Sequence, residues 1–434
     1  PLGLVKKNTH FLAADGSRVT REDSCAGYVS QMECYTDFGF FPRKDDCYWE
    51  SPFTSYTYDK YAYEEACRES VLDKRTYTLC DSLTATDASY LVEPVDGLWL
   101  LAIDGGVYLP KEMKDGKWTY QGSSAGYNLV LKHKPFLLPW VRKVVEEARK
   151  RHKTLVAFSH YPLVDFNDGV SESVHRMWGD RRFDLHRVPE AEVSEAFLQA
   201  GLRLHFAGHM HVNDTGIWEG KDGKHLYNIQ VPSIATYVPA YKILTIESDE
   251  VFRVETVALD TVPGFDSLFP LYRAEYQSDS LKGHSPVWNK EILSARTYGE
   301  FCDYQFRDLV RLRFIPRDLP ESWRACLDFT GARMLKAVSG EDKANNVNWT
   351  GWCMKDLVLD VYRLRYAERL ALKDIPETRL AVYRYLFDRA RISTFRSAEV
   401  EMVKGLGTLF LAFLNGEPCQ NFVIDLEKDT ITGD

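Results

Sequence analysis

Three histidines carry most of the chemistry that this sequence offers. His209 and His211 stand two apart in "FAGHMHVNDTG" (206–216), behind Gly208, where the apolar run "LRLHF" gives way to polar residues. His160 closes a second apolar run, "TLVAFSHYP" (154–162). Neutral imidazole is a common ligand for zinc, iron and other transition ions. On extended backbone, residues i and i+2 point the same way, so His209 and His211 can converge on one point. Gly208 lets the backbone approach closely. A single histidine at a strand end is usually no more than a hydrogen-bonded side chain. An H-x-H pair joined by a third histidine, each behind an apolar run, reads as a metal site. His205, inside its strand, reads as structural. His175 and His186 fall in a polar stretch that carries no pattern.

The elements that position these residues follow from hydrophobic periodicity. "ASYLVEP" and "LWLLAID", joined by "VDG", predict a strand pair, the second member apolar on both faces. Residues 135–153 keep apolar positions at helical spacing and end in a basic tail. The buried strand before His160 follows, then a polar loop over 163–188. A helix over 189–200 opens with Pro and acids and stops at Gly201. "LRLHFAG", "LYNIQVPS", "YKILTIES" and "VFRVETVAL" read as strands, the last two a hairpin through "DE". Residues 90–259 therefore form a layered α/β pattern, and ligands of such folds bind outside the carboxyl ends of the strands.

Residues 1–90 are irregular, with helical pieces expected at 23–37 and 60–72. Beyond 267 amphipathic helices are expected at 296–314, 320–337, 354–371, 377–391 and 397–415. The expected domains are 1–262, carrying the histidines, and 263–434, mostly α-helical.

The whole chain narrows the partners. Its 434 residues are 45% hydrophobic and 27% charged, ordinary globular composition with room for a large core. A net charge of −9 without a basic block argues against nucleic acid as a main partner. No apolar run is long enough to span a membrane. Nine cysteines at wide spacing, none in C-x-x-C, read chiefly as free thiols rather than a zinc module or regular disulfide framework. The compartment is not legible.

"SHYP" followed some fifty residues later by "GHMH" resembles the last two motifs of the calcineurin-like metallophosphoesterases. The strand pair in "YLVEPVDGLWLLAIDGGVY" (90–108) and the stretch "CAGYVSQMECYTDFGF" (25–40) resemble segments of bacterial members. The resemblance covers roughly residues 10–258. It implies a four-layer α/β/β/α sandwich with two metal ions (Mn, Fe or Zn) that clamp a phosphate ester while a bridging hydroxide attacks phosphorus. By the same resemblance His160 and His209 ligate one metal and His211 the other. The family's upstream motifs, D-x-H, G-D and G-N-H-[DE], are absent, so no bridging carboxylate can be named. The expectation is that these motifs lie before Pro1 and that the chain is an N-terminally truncated member.

The leading expectation is therefore metal-dependent hydrolysis of a phosphate mono- or diester. One alternative is a catalytically inactive scaffold whose helical part binds a partner protein. Another is a mononuclear three-histidine site. Tyr161, Asn213, Asp214 and Tyr237 are weaker candidates for contacts near the histidines, and Arg181 and Arg182 for a phosphate.

Overall fold

In a computed structural model, residues 10–12, 18–20, 32–80, 83–114, 117–120, 126–281, 283, 288–342 and 349–433 are described. The chain is mixed α/β. It divides into two compact units, one of residues 1–104 with 132–156, the other of 105–131 with 157–434.

The first unit is built on the expected strand pair. Strands β1 (Tyr48–Glu50), β2 (Tyr90–Val95) and β3 (Leu98–Ile103) run antiparallel, with Trp49 opposite Val92 and Leu91 opposite Leu101. Trp49, Leu91 and Leu101 are fully buried. Helix α1 (Leu137–Lys150) buries Leu137, Trp140, Val141, Val144, Val145 and Ala148, the stripe that the sequence spacing marks. The helical piece expected at 60–72 is shorter, Tyr63–Glu69. Most of the helix expected at 23–37 lies outside the described residues.

Strand β4 (Thr154–Ser159) ends immediately before His160, and the boundary between the units falls inside it. In the second unit the end of β4 pairs parallel with β5 (Leu204–Ala207), Phe158 opposite Phe206. The polar stretch after His160 is not all loop, because Ser171–Trp178 forms helix α2. Helix α3 (Ala191–Gln199) follows where expected. A strand absent from the sequence reading, β6 (Asp214–Glu219), pairs antiparallel with β7 (His225–Gln230), and β7 pairs parallel with β5. A short six-residue run with a glycine inside carries little periodicity, which is why β6 escapes notice.

The hairpin of β8 (Ala240–Ser248) and β9 (Val251–Ala258) forms as expected. The carboxyl-terminal residues add two strands to it, β10 (Asn421–Asp425) and β11 (Thr430–Gly433). Residues 263–434 are thus mostly but not wholly helical, and they fall in one unit with strands β5 to β9. Their helices are α4 (Phe269–Leu281), α5 (Tyr298–Leu309), α6 (Gly331–Ser339), α7 (Met354–Ala367), α8 (Glu377–Ile392) and α9 (Ala398–Leu414). The helix expected over 320–337 breaks in two, and Thr330 caps the second piece by accepting from the Arg333 N–H.

Helix α7 is the centre of this core. Leu357, Val358, Val361, Tyr362 and Leu364 are buried, and so are Asp360, Arg363 and Arg365. The buried charges are paired: Arg363 meets Asp303 at 2.6 Å and Asp360 at 3.0 Å. The same core takes in Met210 and Val212 from the histidine segment. No helix among the described residues is long and apolar enough to cross a membrane.

Candidate metal centre

The site grows out of one face of the parallel strands. The registers place Ser159, His205 and Asn228 on that face of three adjacent strands, with Asp214 and Gln230 opposite each other at its edge. His205 Nδ1 lies 2.8 Å from Asn228 Oδ1 and donates to it, and its Nε2 lies 3.0 Å from Ser159 Oγ. Burial pushes the His205 pKa down to about 4, so the ring is neutral. His205 is structural, as its place in the strand implies.

The next residues turn the chain toward solvent. Gly208 N–H donates to the His160 carbonyl at 3.2 Å, which ties the ends of β4 and β5 together. His209 and His211 then adopt left-handed backbone, φ +60° and +58°. Met210 and Val212 between and after them are buried in the helical core. Side chains therefore alternate, histidines toward the strand ends and hydrophobes into the core. Left-handed backbone at residues with a Cβ costs of order 1–3 kcal/mol each and is found preferentially at functional sites.

The structure brings His160 and His209 together. His209 Nδ1 lies 2.8 Å from His160 Nε2, with ring centroids 4.8 Å apart. Tyr161 packs its ring 4.4 Å from that of His209. Burial lowers the pKa of all three histidines; repulsion from Arg187 adds to this for His209 and His211, and repulsion from His211 for His160. His209 falls to about 3. All three are neutral at pH 7, the form that ligates metal. His209 Nε2 is buried and has no hydrogen-bond partner. His211 does not complete a group of three donors within 4.8 Å of one another.

Arg187 was missed by sequence reasoning. It sits at the end of the stretch 163–188 and acts electrostatically on His209 and His211. Its Nε is buried without a partner, and its one ion pair among the described residues is long, 3.7 Å to Asp184. The arginines that the sequence singled out are placed otherwise: Arg181 is exposed, and Arg182 donates to the Arg317 carbonyl. Tyr237 is buried, stacks on Phe306 at 4.9 Å and donates to Asp374 at 2.8 Å, as a core residue does. His175 makes an exposed ion pair with Asp180 at 2.5 Å.

A second constellation lies a few residues on. Among the described residues, one group of three metal-ligating side chains has its ligand atoms all within 4.8 Å of one another: Asp168, Asp214 and Glu368. These residues could hold a metal ion. Asp168 comes from the turn before α2 with φ +48°, Asp214 opens β6, and Glu368 ends α7 with φ +43°. Burial drives their pKa values up: Asp168 to about 9 and Glu368 well above the carboxylate range, both reinforced by repulsion within the cluster, and Asp214 to about 6, where a hydrogen bond with Glu368 pulls down and repulsion from Asp165 pushes up. Asn213 is part of the surrounding frame. Its backbone N–H donates to the Tyr366 carbonyl, and its side chain meets Lys242 and Cys419. The charges that shift the histidines are one another, Arg187 and, at His209, also Asp184.

The described cysteines are free thiols, among them exposed Cys34 and Cys47 and buried Cys302, Cys326 and Cys419. Compared with known families and with curated proteins, the chain matches no family model and no curated protein.

Proposed function

We propose that this protein is a metal-dependent hydrolase of phosphate esters, with the resemblance to calcineurin-like metallophosphoesterases and their four-layer sandwich as part of the same reading. One observation carries it. His160 and His209, forty-nine positions apart, meet at 2.8 Å beyond two parallel strands, both kept neutral by burial. The residues fit a metal. His209 keeps a buried ring nitrogen without a partner, and a left-handed backbone is held at His209 and His211 although it is unfavourable.

Bound there, a metal would act as Lewis acid and lower the pKa of a water. The chain's own residues do the rest. Tyr161 fixes the His209 ring plane by packing against it. The Met210 and Val212 anchors hold the two histidines in register with the strand ends. Arg187, with an unused N–H, binds an anionic phosphate oxygen and orients the ester.

The test is metal content and hydrolysis together. After treatment with EDTA and reloading with Mn or Zn, the wild-type chain is expected to retain the ion and His209→Ala to lose it. The protein should cleave bis(p-nitrophenyl) phosphate or p-nitrophenyl phosphate. Arg187→Ala should then raise KM about tenfold or more, a loss of at least roughly 1.4 kcal/mol. Retention of metal by His209→Ala, or no metal in the wild type, sinks the proposal and leaves the inactive scaffold as the better reading.

A further inference from the structure

The carboxylates of Asp168, Asp214 and Glu368 stand apart from the proposed hydrolytic site, and what they do does not depend on it. Three observations bear on them.

The first is a missing direct counter-charge. Both carboxylate oxygens of Asp214 and Oε1 of Glu368 are enclosed, and among the described residues no cation pairs with either acid; the two carboxyls meet each other, and Glu368 also meets Cys419. The nearby cation, Lys242, attracts both electrostatically but makes no direct ion pair with them. Its three N–H groups go to Asn213 Oδ1 at 2.7 Å, Thr256 Oγ1 at 2.8 Å and the Cys419 carbonyl at 2.7 Å. Buried carboxylates elsewhere in the second unit are paired, Asp360 with Arg363 and Asp318 with Arg317. A buried charge without a partner is strongly unfavourable.

The second is independent of the acids. Gln230 is fully buried, and neither its amide oxygen nor its nitrogen has a partner. It lies directly opposite Asp214 in the β6–β7 register, so both side chains stand on the same face. Its amide oxygen, next to Asp214 across the strands, adds a hard oxygen donor to those of the carboxylates.

The third is close approach. Gly416 borders the cluster: a Cβ there would stand 2.5 Å from Asp168 Oδ1, so glycine leaves that carboxylate its place. Asp168 is the least buried of the three acids.

We infer that Asp168, Asp214 and Glu368, with the Gln230 carbonyl, bind one hard divalent cation of the calcium or magnesium class, which braces the histidine segment against the end of helix α7. All donors are oxygens, which hard cations prefer to soft or borderline ions. Calcium reaches its oxygens at about 2.3–2.6 Å and magnesium at about 2.0–2.1 Å, so oxygens less than 4.8 Å apart lie within reach of one ion after small adjustments. The brace follows from the chain path. Asp214 is three residues beyond His211, and the Asn213 N–H is already tied to the Tyr366 carbonyl in the last turn of α7. A cation joining Asp214 to Glu368 extends that tie.

The experiment is thermal unfolding of the full chain in EDTA, then in excess Ca or Mg. Wild type should gain roughly 3–5 °C at a hundredfold excess over Kd. His209→Ala should show the same gain, since the ion is not held by the histidines. Asp214→Asn and Glu368→Gln should each show little or none, while melting in EDTA no lower than wild type. That last condition separates loss of the site from loss of the fold. No gain in wild type with either ion overturns the inference. So does a full gain in either carboxamide variant. A gain that disappears only in His209→Ala assigns the ion to the histidines, which supports the proposed function and overturns the brace. Whether Ca or Mg gives the larger gain identifies the class.

Discussion

Asp87 and Asp214 are both carboxylates with almost no exposed surface, and the chain treats them oppositely. In the first unit Asp87 receives Lys134 at 2.8 Å and the Ser89 N–H at 2.8 Å, and Lys134 also bridges to Asp104. In the second unit Asp214 has no cation paired with it among the described residues; its carboxyl meets that of Glu368, with Asp168 close by. One arrangement is a finished structural device. The other is unfinished without something from outside. The contrast shows how to read a buried acid: its burial says little, and its list of partners says most.

The sharpest way to break this comparison is to remove the cation from the finished site. Lys134→Met takes from Asp87 and Asp104 the cation they share, and a buried pair broken from one side costs about 3–5 kcal/mol. Denaturant unfolding should register the full loss, and adding Asp87→Asn should recover part of it. If Lys134→Met were nearly neutral, pairing would not distinguish the two sites.

The same logic separates two histidines. His205 has partners on both ring nitrogens, whereas His209 keeps one nitrogen free. The folded His205 has its pKa near 4 against 6.5 when unfolded. The unfolded chain therefore binds more protons between these values. Stability is fully present above about pH 6.5 and is lost as pH falls through about 4, by roughly 3 kcal/mol for this residue. His205→Gln should flatten that part of the stability curve. An unchanged curve would mean that His205 is not held neutral.

At the unfinished site the expected sign reverses. In EDTA, Glu368→Gln replaces a crowded, buried acid whose ionisation burial opposes, and unfolding free energy should stay level or rise by about 1 kcal/mol. A loss comparable with that of Lys134→Met would mean that the contacts of Glu368 with Asp214 and Cys419 hold the fold as an ion pair does, and the comparison with Asp87 would fail.

The parts of the fold visible in the sequence are those written in local periodicity. Strands β2 to β5 and β7 to β9, helices α1 and α3 and most of the later helices follow from apolar spacing. The histidines were legible for the same reason, since each closes an apolar run. The carboxylate cluster was not. Asp168, Asp214 and Glu368 come from a turn, a strand start and a helix end far apart in the chain, and only tertiary packing joins them. Arg187 was hidden likewise, in a polar stretch without a period. Strands β10 and β11 left a faint trace in "NFVIDLEKDTITG", where Phe422 and Ile424 alternate with polar neighbours before a charged turn. The run of helices before them outweighed it.

The smallest effect tests whether the histidine segment holds its shape for function. His211 sits at φ +58°, where a residue with a Cβ is disfavoured and glycine is at ease. Met210 and Val212 keep this shape by their burial in the helical core, whatever stands at 211. His211→Gly should therefore relieve strain. Against that, glycine loosens the unfolded chain. The balance is a net change of about 0.5–1 kcal/mol toward greater stability by denaturant unfolding. Metal retained at the histidines should fall in the same variant. Greater stability with weaker metal binding would mean that the backbone there is held in an unfavourable state for the sake of the imidazoles. Lower stability with unchanged metal binding would make His211 an ordinary packed residue, and would place the chemistry of this segment on His160 and His209 alone.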